Sequence, residues 1–483
     1  MKKEEISEAM GLIDEELIKE VDNTRVIRRR KKYFWKVGVA VAASISLLTM
    51  GVLTRDSQPV KAYVIKEAEY PTMLQYPEEK NFIDKKTGQM NYDAFHAQEE
   101  KWASASHDRL KQYDVNNEGL EQFLLSSTRQ FLSDEKDNNL VYSPLNVYMA
   151  LCMLAEVSDG NSRDEILKVL GVDSIDKVRS QASNLWNANY CDDGVTTSIL
   201  ANSIWLNEKV SFNKSTMNTL AENYYASSYQ GEMGSENFNK IFQDWLNDQT
   251  GGLLKEQAKG VKLTPGTIMA LTSTVYFKGK WNSVFNKNET KEGIFHATKG
   301  DLTCDFMHMS MQNDYYYGDG YSAIKKDFEN GEAMWLILPD KGIAPYDLIQ
   351  NGTTVNLPIK GGDSKHLVVN LSMPKFDVAS DMKLKDGLKA LGIKDVFDPN
   401  LSDFTPMTKD AENIFVSEAN HAVRVQVDEE GCKAAAYTVL GLTGGAMPPE
   451  EEIDFVLDRP FIFVITSKSN TPLFTGIVNQ PLE

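Results

Sequence analysis

The sequence predicts an α+β domain over residues 116–483, and three observations carry that expectation. From residue 118 the apolar residues recur with helical period, whereas from about residue 267 they gather into β-branched and aromatic runs of strand length. Several of those runs are too apolar to leave a face in water, which argues for large sheets buried on both sides. The composition, 42% hydrophobic and 25% charged, is that of a globular chain with a sizeable core. Early helices and later strands form the α+β pattern.

Residues 1–36 form a tail in which Ile6, Met10, Ile13, Leu17 and Val21 line one face of a short helix. That face suits docking onto a partner, and equally a marginal surface helix, since so short a helix is barely stable alone in water. Residues 37–54, VGVAVAASISLLTMGVLT, carry no charge. As a helix they rise about 27 Å, close to the roughly 30 Å of a hydrocarbon core. The preceding RRRKKYFWK supplies a positive-inside signal and an aromatic belt of Tyr33, Phe34 and Trp35. A single transmembrane helix with a cytoplasmic N-terminus is expected, placing the rest of the chain outside the cell membrane. The competing reading, a cleaved signal peptide, needs a charged lead of over thirty residues and lacks an A-x-A-like site before Arg55. Residues 55–115 are polar, with scattered Pro and no sustained alternation, and are expected to form a spacer with some helix.

Beyond the spacer, EGLEQFLLSSTRQFL has helical period, and SPLNVYMALCMLAEV opens with a Ser143 cap and a proline in its first turn. The segments TIMALTSTVYF, EAMWLILP, HLVVNLSMPKF, HAVRVQV and FIFVIT are strands. The net charge of −18 argues against nucleic acid, because no basic stripe follows Arg55. It leaves open a basic partner surface, beside the plainer reading that it keeps the protein soluble. Cys152, Cys191, Cys304 and Cys432 contain no C-x-x-C pair, so free thiols are expected rather than zinc or a disulfide framework. The six histidines form no metal-binding pattern, and neither a G-x-S-x-G elbow nor a Walker loop is present. These absences argue against an enzyme, and no catalytic residue, metal or cofactor is expected.

Residues 428–452, DEEGCKAAAYTVLGLTGGAMPPEEE, look unlike core. Read with strand period, Cys432, Ala434, Ala436, Thr438 and Leu440 share one face, and Lys433, Ala435, Tyr437 and Val439 the other. The first face is almost entirely small. Such a segment can slide between strands without clashes or cavities, with Lys433 and Tyr437 left in solvent. An Ala-rich surface loop also explains the composition, though not the alternation.

The surrounding residues resemble the serpin family from about residue 116 to the end. VYSPLNVYMALCMLAEVSDGNSRDEILKVLG is similar to the family's F-S-P segment and the helix start after it. TSTVYFKGKWNSVF is similar to the N-A-I-Y-F-K-G-x-W run, with Trp281 in place, and WLNDQTGGLL to W-V-x-x-x-T-x-G-K-I. MPKF, DRPFIFVI and PLFTGIVNQP follow in the family's order. Two departures fall in the shutter beneath the central sheet: Asn146 where a second serine is usual, and Ser273 where Asn is common.

The resemblance implies a fold of three β-sheets with surrounding helices and a long exposed reactive loop, acting as a monomer. It implies inhibition of a target serine protease, with a non-inhibitory carrier, chaperone or surface-binding module as the alternative. The hinge matches the inhibitory pattern at Glu430, Gly431, Cys432, Ala434, Ala435, Ala436 and Thr438. Counting sixteen residues from Glu429 puts the reactive bond at Gly445–Ala446, with cleavage after Ala446 as the neighbouring register. Cleavage after Met447 is disfavoured by Pro448. The small, uncharged residues around the bond suit elastase-like or subtilisin-like enzymes better than trypsin-like or chymotrypsin-like ones, and papain-like enzymes stay open. Ser143, Ser273 and His421 match the shutter, where His421 is expected as a hydrogen-bonded core residue rather than a catalyst. Cys432 is expected as a small inserting residue, with an oxidation switch as the sharper reading. The short basic tail, single anchor and few cysteines resemble a Gram-positive bacterial surface protein.

Overall fold

The computed structural model describes residues 63–113, 118–133, 138–432 and 451–481. The tail, the uncharged run 37–54 and residues 433–450 lie outside them. Among the described residues no helix is long and apolar enough to cross a membrane.

Two hydrogen-bonded sheets organise the described residues. The first runs β1 (Val64–Lys66), β5 (Ala226–Gly231), β4 (Thr197–Asn207), β6 (Met269–Lys280), β14 (Gly431–Cys432), β13 (Asn420–Val427) and β12 (Phe376–Lys383). A short β3 (Cys191–Asp192) pairs with the start of β4. The second runs β15 (Glu452–Val456), β11 (Ser364–Pro374), β8 (Gly300–Gly318), β9 (Tyr321–Asp327), β10 (Ala333–Pro339), β16 (Phe461–Thr466), β17 (Pro472–Val478) and β2 (Leu140–Tyr142), with β7 (Lys291–Ala297) beside β8. The three separate sheets implied by the resemblance are therefore two networks here. The reason is β8: its 19 residues pair with β7, β11 and β9 in turn, so the ladder passes from one expected sheet into the next without a break.

The helices are α1 (Tyr92–Leu110), α2 (Glu118–Phe131), α3 (Pro144–Val157), α4 (Gly160–Leu170), α5 (Ile175–Asn189), α6 (Lys214–Asn223), α7 (Glu236–Gln249), α8 (Lys255–Gly260), α9 (Pro345–Gln350), α10 (Thr353–Lys360) and α11 (Lys385–Leu391). Helix α3 is mostly apolar and buried except at Ala150, with Asn146 and Glu156 as its buried polar residues, because it runs between the sheets against β6 and β17. Pro144 begins it, but Ser143, at the cap position, does not cap: its hydroxyl donates instead to the Leu473 carbonyl on β17 (2.6 Å). Helix α7 lies on the first sheet through Phe238, Phe242 and Trp245, which pack around Trp205 of β4.

Residues 63–113, read from sequence as part of a spacer, are built into the domain. Strand β1 extends the first sheet by pairing with β5, and the Ala68 amide donates to Ser227 Oγ (3.1 Å). Tyr70 packs against Trp186 and Tyr190 of the α5 end, with ring centroids at 5.0 and 5.5 Å. Gln75 and Tyr76 then bond the carbonyls of Asp192 and Asp193 (2.8 and 2.7 Å). The local sequence hides this because the partners, β5 and the β3 turn, lie more than a hundred residues away.

Candidate functional site

The site begins where β13 ends. Asp428 turns the chain, its carboxylate accepting from the amides of Glu430 (2.9 Å) and Gly431 (3.2 Å), while its own amide donates to the Gly431 carbonyl. Beyond the turn, Gly431 and Cys432 form β14, which is antiparallel to both neighbours: Gly431 lies opposite Lys280, and Cys432 opposite Gly279 and Val427. Only glycine fits at 431, where φ is +155° and a Cβ would lie 2.2 Å from the Gly279 carbonyl oxygen. Cys432 is buried, in keeping with the small face of the loop turning inward.

Neighbouring side chains hold the turn. The Trp281 indole N–H donates to the Asp428 carbonyl and its amide to the Glu430 carbonyl, both at 3.0 Å. Its ring stacks on Phe328 (4.5 Å, 7° between planes) and meets the Lys326 ammonium from another side (5.1 Å). Lys326 donates to the Ser283 carbonyl (2.8 Å), and burial lowers its pKa to about 7. Glu429 is buried, pairs with Lys375 (2.8 Å) and accepts from the Thr290 hydroxyl (2.8 Å). Burial alone would raise its carboxyl, but Lys375, the backbone and Thr290 outweigh it and hold the pKa below the ordinary value. Glu430 pairs with the exposed Lys287. The turn is thus anchored residue by residue just where the chain leaves for 433.

A second cluster lies further down the same two strands. His421 of β13 is buried, and its Nε2 accepts from the Ser143 amide (3.0 Å), so the ring is neutral with its proton on Nδ1. Burial lowers its pKa to about 3. The Tyr142 ring meets it edge-on at 5.4 Å. Asn146 of α3 donates its amide to the Ser273 carbonyl of β6 (3.1 Å). The bond goes to the main chain of β6, so it does not depend on the serine side chain, and the buried Ser273 Oγ has no partner among the described residues. Both strands flanking β14 are in this way fastened to the start of α3.

Of the residues singled out from sequence, Glu430, Gly431 and Cys432 lie in the turn and β14, and Ser143, Ser273 and His421 in the lower cluster. Ala434, Ala435, Ala436, Thr438, Gly445 and Ala446 lie outside the described residues. Sequence reasoning missed Lys375 and Thr290 as the holders of Glu429, although Lys375 stands inside the MPKF run and was visible there. Among the described residues no group of three or more His, Cys, Asp or Glu is placed to hold a metal ion. None of the four cysteines is in a disulfide, and all are buried.

The family profile described as Serpin (serine protease inhibitor) matches residues 118–481. The chain is a serpin. It is similar to Serpin-ZX of Arabidopsis thaliana, 29% identical over 369 residues that cover 72% of this chain and 93% of the relative. It is also similar to Alpha-1-antiproteinase of Rattus norvegicus, 26% identical over 391 residues, 78% of this chain and 92% of that one. The thermophilic serpin Tengpin in its native state superposes with a TM-score of 0.67 at 26% identity, over 76% of this chain and 96% of Tengpin. Tengpin in its latent state gives 0.65 at 26% identity, over 77% and 100%. Serpins are generally protease inhibitors and not enzymes. The matched residues begin at 118, so residues 63–113 are an addition to the family's domain.

Proposed function

We propose that this serpin traps a serine protease as a suicide substrate: cleavage of the loop, an acyl-enzyme, and insertion of the cleaved loop between β6 and β13 before deacylation. One observation carries the reading. Strand β14 already stands between β6 and β13, antiparallel to both, and among the described residues no ladder joins β6 to β13 directly. Continuing its register two residues at a time sets Ala434 beside Phe277 and Val425, Ala436 beside Val275 and Val423, and Thr438 beside Ser273 and His421. On β13 those partners are buried, so the small face turns to the core and Lys433 and Tyr437 to solvent. The inserting strand thus ends its hinge in the shutter cluster.

Cleavage falls at Gly445–Ala446, and the small residues before it favour elastase-like or subtilisin-like enzymes. Residues 37–54 anchor the chain in a cell membrane with the serpin domain outside, an orientation supported by the charges at residues 28–32. The protein works as a monomer. The test is incubation with a panel of serine proteases: an SDS-stable complex is expected, and Ala436→Arg, which puts a charge on the buried face, should turn the inhibitor into a cleaved and released substrate. Unchanged trapping by that variant refutes insertion.

A further inference from the structure

Two turns at one end of the second sheet bring an amine against a carboxamide. Asn330 lies in the turn from β9 to β10, and Lys468 in the turn from β16 to β17. Strands β10 and β16 pair from Ala333 opposite Thr466, so the ladder itself delivers the two residues to each other just past its end. There Lys468 Nζ donates to Asn330 Oδ1 at 2.6 Å, across 138 positions of sequence. The carbon that carries Oδ1 lies only one C=O bond, about 1.23 Å, beyond it. A small swing of Nζ from the oxygen to that carbon gives an attack distance of about 3–3.5 Å.

The surroundings hold both groups. The Ser106 hydroxyl of α1 accepts from Nζ (2.9 Å), so the added segment, outside the matched family region, fixes the amine from another side. Asn330, 8% exposed, donates Nδ2 to Asp193 Oδ2 (2.7 Å). Asp193 is 3% exposed, and the amides of Val195 and Thr196 hold its other oxygen (3.1 and 3.0 Å), so the carboxylate cannot turn away from Nδ2. Glu332 is buried beside them, and the Lys468 and Asp193 charges both act on its carboxyl, which places all four side chains in one pocket. Lys468 is only half-buried, so its ammonium exchanges protons with solvent. Asn330 precedes a glycine, the common setting for a succinimide, yet the Gly331 amide donates to the Phe328 carbonyl (3.2 Å) and is not free to attack.

We propose that Lys468 and Asn330 join in an intramolecular isopeptide bond. Lys468 gives one proton to solvent, and its free amine attacks Asn330 Cγ, forming the new C–N bond while the carbonyl π electrons move to Oδ1. Asp193 takes the second proton from the attacking nitrogen and passes it to Nδ2; the old C–N bond breaks, the carbonyl reforms and ammonia leaves. The carboxylate is restored, and nothing is oxidised or reduced. The bond ties the β9–β10 turn to the β16–β17 turn.

The test is mass spectrometry of the purified full-length chain. Wild type should be lighter than its sequence by one ammonia. Trypsin should leave the bond after Lys468 uncut and yield a branched peptide in which fragmentation joins Lys468 to Asn330. Lys468→Met should retain the ammonia, and Asp193→Asn, which keeps an acceptor oxygen for Asn330 but cannot carry the proton, should lower the linked fraction at least about tenfold. Near-UV circular dichroism establishes that each variant keeps its fold, and the wild-type peptides decide the matter if one does not. The proposal fails if wild-type peptides carry Lys468 and Asn330 unlinked, if the missing ammonia lies in a linear peptide spanning Asn330 and Gly331, or if Asp193→Asn is linked as completely as wild type.

Discussion

Acidification should loosen this serpin through one residue. His421 is buried and neutral, with Nε2 occupied by the Ser143 amide, so protonation must break that bond and bury a charge. Its folded pKa of about 3 lies below the ordinary 6.5, so the opened state binds the proton first. The stabilisation is complete above about pH 6.5 and is lost as pH falls toward 3. At pH 5, 1.5 units below the ordinary value, the loss is about 2 kcal/mol, or roughly thirtyfold in the closed-to-open ratio. Lys326 acts in another window: lowered to about 7, it is protonated in both states near pH 5 and contributes its slope between pH 7 and its ordinary 10.5. The assay is the rate at which trapping capacity is lost at fixed temperature from pH 8 to 5, measured for wild type and for His421→Gln, which keeps an acceptor for Ser143 but cannot titrate. The wild-type rate should climb by up to about thirtyfold and the variant's much less. Equal slopes in the two proteins refute the reasoning.

Three further outcomes are expected. Asn146→Ser loses the amide bond to the Ser273 carbonyl at a cost of about 1–2 kcal/mol, read as faster thermal inactivation, and an unchanged inactivation rate counts against a stabilising role for the bond. Gly431→Ala places a Cβ against the Gly279 carbonyl and pushes β14 off β6, so more encounters should end in cleaved serpin than in complex, read as the ratio of the two bands on a denaturing gel. Gly445→Arg should create inhibition of trypsin-like enzymes and weaken action on elastase-like ones, with Ala446→Arg as the register control. Mass spectrometry of the released C-terminal fragment should find Ala446 at its start, and a cut upstream of Leu440 discards the assignment.

The elements legible in the sequence were those whose apolar pattern is local. The stretch from 144 to 157 announces a buried helix, and 461–466 a buried strand, because each carries its own hydrophobic reason. Strand β8 escaped, since its Cys, Met, Asn, Asp and Tyr residues alternate only partly between core and solvent and its order comes from β11. Strand β1 escaped for a stronger reason: three residues have no period, and what holds them is β5. At the site, Glu430, Gly431 and Cys432, and Ser143, Ser273 and His421, were singled out as residue types, and the structure gives their positions. The bond from Asn146 to the Ser273 carbonyl was not visible there, because positions 127 apart look independent until a hydrogen bond joins them. Likewise Glu429 served in the sequence only as an origin for counting, although it is buried and held by two side chains.

The two residues of β14 have a kinetic meaning. Adding a strand to a sheet is slow chiefly because the chain must search for register and close a loop before any ladder bond rewards it. On the insertion mechanism proposed above, the search would be over before a protease arrives, since Gly431 and Cys432 already pair with β6 and β13. Insertion, so proposed, would resemble a zip-fastener with its first teeth engaged: each step would lengthen an existing ladder, and the early positions would govern the speed of all that follow. A bulky residue at 434 should therefore stall the run more than the same residue at 440, and the race against deacylation is decided within the first few rungs.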